Sequence, residues 1–72
     1  MEEKVLHILR TVLENNTLDN TCSQLNCEAW DSLHHLNICF DLEGEFGVVF
    51  QPNEMAAMKS FDDVITLLKS KL

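Results

Sequence analysis

Apolar residues recur at helical spacing in three stretches of this chain, separated by one long polar segment and one short break. Val5, Leu9, Val12 and Leu13, widened by Leu6 and Ile8, predict a first helix over residues 2–14. Glu2 and Glu3 suit the positive end of its dipole, and Asn15-Asn16 marks its stop. A second helix is predicted over residues 32–46. Leu33, Leu36 and Phe40 form one apolar row, and Ile38, Leu42 and Phe46 form another, so the apolar arc is wide. Asp31 is placed to cap this helix, and Gly47 suits the left-handed residue past its end. Gly44 inside it costs about 1 kcal/mol relative to alanine, which weakens the last turn. Pro52 opens a short third helix through Met58. Ser60 and Asp63 form a capping-box-like start for a last helix, whose buried face is Phe61, Val64, Ile65 and Leu68.

Between the first two helices, residues 15–30 carry no clear period. Asn15, Asn16, Asn20, Ser23 and Asn26 favour turns through side-chain bonds to the backbone. Leu18 and Leu25 are expected to tuck beneath this loop, and Trp30 to pack under it and hold Ser32 outward. The pattern predicts a single all-α domain over residues 1–72: a small four-helix bundle of three main helices and a short third one, with a long first loop. With one proline and two glycines in 72 residues, an all-β chain has little to build its turns from.

Charge narrows the partners. Twelve acidic and five basic residues leave a formal charge of −7, without the basic footprint that nucleic acid or an anionic membrane surface requires. A partner with a basic patch is the natural expectation, because opposite fields speed encounter and fix orientation. The odd count of three cysteines and the lack of a leader or an apolar run of spanning length point to a reducing cytoplasm. Cys22, Cys27, His34, His35 and Cys39 form a poor metal set. The spacing of Cys22 and Cys27 is wide for a zinc knuckle, and His34 and His35 project about 100° apart on a helix. No metal site is expected. His34 and His35 neighbour Ser32 in sequence without forming a nucleophile–base pair, so no catalytic residue is identified.

The run Trp30-Asp31-Ser32-Leu33-His34-His35-Leu36-Asn37 resembles the acyl carrier protein family, in the form found in specialised biosynthetic pathways. The resemblance continues through Leu42-Glu43-Gly44-Glu45-Phe46-Gly47-Val48 and from Ser60 to Leu68. It implies that Ser32, set between Asp31 and Leu33, carries 4′-phosphopantetheine donated from coenzyme A by a phosphopantetheinyl transferase. The arm's thiol then holds an acyl or aminoacyl group as a thioester. The protein is thus expected to be a non-catalytic, monomeric substrate of a loading ligase and of acyltransferase, ketosynthase or related enzymes of fatty acid or polyketide type.

The resemblance also implies docking through the second helix, here Asp31, His34, Asn37, Asp41, Glu43 and Glu45. His34 and Asn37 stand where the fatty-acid carriers often have acids, which favours a dedicated pathway. Phe40, Leu42, Phe46, Met55, Met58, Phe61, Val64 and Ile65 are the candidate lining of an acyl pocket. Two other readings stay open: an aminoacyl or peptidyl carrier of a nonribosomal pathway, and an acidic helical adaptor that is never modified.

Overall fold

A computed structural model describes residues 1–72. Four helices follow one another: α1 (Glu2–Val12), α2 (Ser32–Phe46), α3 (Pro52–Ala57) and α4 (Phe61–Lys71). The fold is an all-α small bundle in which α1 packs against both α2 and α4. One cluster of 16 buried residues runs through it, drawn from all three long helices and from all three connections. No helix is long and apolar enough to cross a membrane.

Each helix ends for a local reason. α1 stops two residues earlier than its apolar spacing predicts. Leu13 is its C-cap, and Glu14 takes a left-handed backbone with φ 53°. The Asn15 N–H then donates to the Arg10 carbonyl at 3.0 Å and absorbs one of the free C-terminal acceptors. α2 ends on Gly47, with φ 66° and ψ 35°, whose N–H donates to the Glu43 carbonyl at 2.9 Å. A side chain there strains the backbone, so Gly47→Ala is expected to lower stability by about 1 kcal/mol. Urea unfolding checks this, and an unchanged midpoint at constant slope contradicts it. α3 ends at Ala57, and Met58 turns into the core as its C-cap. The Gln51 N–H donates to Glu54 Oε1 at 2.8 Å at its start. Ser60 Oγ accepts from the Asp63 N–H at 3.1 Å and starts α4.

The long first loop is built onto the α3–α4 junction. The Phe61 N–H donates to the Cys22 carbonyl and the Gln24 N–H to the Lys59 carbonyl, both at 2.9 Å, closing a single antiparallel bridge between Ser23 and Ser60. Leu18, Cys22, Cys27 and Trp30 are buried beneath it. Leu25 is not an anchor: it is 99% exposed, at the tip of a turn closed between Ser23 and Asn26. Asn15 and Asp19 each accept from the N–H two residues on, in turns that hold the loop's first half.

The second helix departs most from expectation. Ile38, Cys39 and Leu42 are its buried residues, whereas Leu33, Leu36 and Phe40 are 67%, 44% and 57% exposed. The wide apolar arc read from the sequence is therefore only partly buried. One row of α2 enters the core against α1, and the other lies along the surface.

Candidate functional site

Ser32 is the first residue of α2, at the helix's positive end, and its side chain is exposed. Asp31 holds this start in place. Its backbone is extended, with φ −96° and ψ −174°, and its Oδ1 accepts from the His34 N–H at 2.9 Å. The same oxygen lies 2.8 Å from His34 Nδ1. The His34 backbone N–H, then its imidazole, hold the Asp31 carboxyl below the ordinary carboxylate range. A depressed carboxylate stabilises the fold above its unfolded-state pKa and loses that contribution as pH falls through its folded-state pKa. Asp19 and Glu54, also bonded to backbone N–H groups, shift the same way. Stability is therefore expected to decline as pH falls below about 4. Asp31→Asn retains a good cap without titrating and is expected to make that decline shallower, as urea midpoints on the two chains would show. Identical pH profiles would contradict the assignment.

The chain has four serines, and Ser32 is the one whose side chain makes no hydrogen bond. Ser23 Oγ accepts from the Leu25 N–H, Ser60 Oγ caps α4, and Ser70 Oγ donates to the Leu67 carbonyl at 2.6 Å. No imidazole contacts Ser32 Oγ. His34 is turned to Asp31, and His35 is held on both ring nitrogens.

His35 joins three parts of the molecule. The Trp30 indole N–H donates to His35 Nδ1 at 2.9 Å, and the rings stack with centroids 6.2 Å apart. His35 Nε2 lies 2.6 Å from the Met55 carbonyl of α3. Only the neutral tautomer with hydrogen on Nε2 satisfies both bonds. The buried tryptophan, the start of α2 and the end of α3 are thereby tied together one turn from Ser32. The sequence places Trp30 under the loop but does not show His35 in this relay. His35→Ala leaves the indole N–H buried without a partner and is expected to lower stability by about 2 kcal/mol. Faster native-state hydrogen exchange at α3 amides would check this, and unchanged protection would contradict it.

The other site residues fall into distinct groups. Asn37, Asp41 and Glu45 are exposed on α2. Glu43 is half-buried, and its Oε2 accepts from the Phe50 N–H at 2.8 Å, so this acid ties down the segment after α2 instead of standing free for a partner. Leu42, Met58, Phe61, Val64 and Ile65 are in the core, with Phe46 and Met55 packed at its margin. Phe40 does not join them. It lies on the outer side of α2, in a groove against α1, which corrects its assignment to a pocket between α2 and the later helices. Of the candidate lining, only Phe40 and Met58 border any groove, and those two grooves are separate.

Three open grooves mark the surface. One of about 540 Å³ adjoins Ser32 and is lined by Gln24, Trp30, Asp31, Ser32, His35 and Leu36. Cys22, Cys27 and Cys39 are free and buried. Burial, with Cys27 alongside, pushes the Cys22 thiol up to about 11, and burial with Glu43 nearby does the same to Cys39. Both are protonated near neutrality and weak as nucleophiles. No group of three or more His, Cys, Asp or Glu side chains gathers as metal ligands. Set against known proteins, the chain matches no family model, no curated protein and no solved structure.

Proposed function

We propose that this protein is a carrier that holds an acyl or aminoacyl group as a thioester on 4′-phosphopantetheine attached to Ser32. The observation that carries this reading is the state of that hydroxyl. It is exposed at the first residue of a capped helix, and it is the one serine side chain free of any hydrogen bond. A phosphodiester formed there meets the free N–H groups and positive dipole of the first turn, which favour an anion. The lack of any imidazole or base against Ser32 Oγ fits an acceptor of a group and not a nucleophile that turns over.

The groove between the first loop and α2 gives such an arm a place to lie. Leu36 and Trp30 offer apolar contact there, and the exposed Gln24 offers amide hydrogen bonds matching those of a pantetheine chain. Cargo on this path remains at the surface, within reach of enzymes. The donor is coenzyme A and the catalyst a phosphopantetheinyl transferase. A loading ligase and an acyltransferase, ketosynthase or related enzyme with basic patches then act on the loaded chain in the cytoplasm, attracted by its −7 charge.

Incubation with coenzyme A and a broad-specificity transferase tests the reading. Complete conversion to a species heavier by one phosphopantetheinyl group is the expected result. A chain left unchanged by several transferases is an unmodified helical adaptor instead, a role for which the exposed apolar row of α2 is suited.

A further inference from the structure

Cys22 and Cys27 flank a tight turn in the first loop. The Asn26 N–H donates to the Ser23 carbonyl at 3.3 Å, and Asn26 Oδ1 accepts from the Ser23 N–H at 2.9 Å. Asn26 Nδ2 reaches past Cys22 and donates to the Thr21 carbonyl at 2.7 Å. The residues between the cysteines are exposed or half-buried, whereas Cys22 and Cys27 both enter the core, 4% and 7% exposed. Their side chains meet there: Cys27 is a hydrogen-bonding neighbour of the Cys22 thiol. Cys39 belongs to α2, and its sulfur faces His35 at 3.8 Å. The backbone is engaged on both sides of the turn. The Cys22 carbonyl accepts from the Phe61 N–H at 2.9 Å, and the Cys27 carbonyl accepts from the Trp30 N–H at 3.1 Å. The two cysteines therefore stand between the loop's anchor on α4 and the segment that leads into Ser32.

From this placement we infer that Cys22 and Cys27 are a redox pair, which a disulfide oxidant such as oxidised glutathione converts to an intramolecular bridge that staples the first loop. One cysteine thiolate attacks a sulfur of glutathione disulfide, forming a mixed disulfide and expelling one glutathione thiolate. The second cysteine thiolate attacks the first cysteine's sulfur and expels the other. Two protons pass from the cysteines to the two glutathione thiolates, and two electrons pass to glutathione disulfide, which leaves as two thiols. Burial keeps Cys22 protonated near neutrality, which slows this exchange without deciding its equilibrium. Proximity decides the equilibrium: the folded chain already holds the pair together, whereas the unfolded chain must first close the loop. A closed four-residue turn holds its ends within about 7 Å, and a disulfide spans Cα separations of about 4.4–6.8 Å. The inference stands apart from the carrier reading, which uses no cysteine.

The test equilibrates the parent chain, checked by intact mass to carry no added group, with reduced and oxidised glutathione. The mixture is quenched in acid, alkylated after denaturation and mapped by mass. The expected product joins Cys22 to Cys27 and leaves Cys39 alone to be alkylated. The equilibrium constant for the bridge is expected to be about tenfold or more larger in the folded chain than in concentrated urea, and the bridged fold more stable by the same factor. Exchange of the Gln24, Trp30 and Phe61 amides is expected to slow in the bridged form. A constant no larger in the folded chain, a bridge that includes Cys39, a product that stops at bound glutathione, or unchanged protection of those amides would overturn the inference.

Discussion

Ser32→Ala is expected to fold as the parent chain does and to accept no phosphopantetheine at all. The fold does not use this hydroxyl. It is exposed, it makes no side-chain hydrogen bond, and its residue opens α2 where alanine is a good helix former. The cap belongs to Asp31 and stays intact. Tm is therefore expected to stay within the small range typical of surface substitutions, about ±0.5 kcal/mol in stability. Loading is expected to fall to zero because no neighbouring hydroxyl replaces Ser32. Ser23 lies in the loop's bridge to Ser60, and Ser60 and Ser70 are bonded in and beyond their own helix. Intact mass gives the loading and circular dichroism the folding. Loading retained in Ser32→Ala places the acceptor elsewhere. Loss of fold in this variant contradicts the description of the hydroxyl as free.

The second large effect concerns Phe61. Its side chain is 1% exposed in the centre of the core, and its backbone N–H donates to the Cys22 carbonyl. Phe61 therefore fills the interior while its backbone fixes the first loop against α4. Phe61→Ala removes most of the ring's buried area and opens a cavity that a small bundle closes only in part, at a cost of about 3–5 kcal/mol. A chain of 72 residues has a total stability of about 4–11 kcal/mol at the usual value per residue. The variant is thus expected to be marginally folded or unfolded at room temperature, with its helical circular dichroism largely lost. Because the loop that leads to Ser32 is anchored on the same residue, loading is expected to fall with the fold. A cooperative transition close to that of the parent would mean that the core collapses around the missing ring.

Much of this architecture follows from short-range chemistry visible along the chain. Asp31 at one end of α2 and Gly47 at the other are readable because a capping side chain and a left-handed residue act within a few positions. Ser60 and Asp63 announce α4 in the same way. The apolar face of α4 is legible for a different reason: Phe61, Val64, Ile65 and Leu68 form one narrow stripe, and all four are buried.

The second helix has two apolar rows, and periodicity alone does not say which one meets its neighbours. Leu33, Leu36 and Phe40 look like core residues in the sequence, and only the packing of α1 against another side of α2 separates them from it. Leu25 misleads for a related cause. A leucine at a turn tip has the same composition signal as one beneath it, and the turn's direction depends on Asn26 bonding back to the Ser23 N–H and to the Thr21 carbonyl.

Contacts between positions far apart in the chain were invisible. Glu43 reads as one more acid of a docking helix, yet its carboxylate accepts from the Phe50 N–H. The Trp30–His35–Met55 relay needs α3 to end beside the start of α2, which no local pattern encodes. The distinction between Ser32 and the chain's other serines lies at this level too: it depends on which hydroxyls the folded chain has already engaged.

Fragmentation of the loaded chain tests the central proposal most directly, by finding where the added group sits. Protein treated with coenzyme A and transferase is digested, and the peptide spanning Trp30–Asn37 is sequenced by mass. The account predicts one phosphopantetheinyl group per chain, all of it on Ser32. An unmodified Ser32, or a group found on any other hydroxyl or on a cysteine, contradicts it.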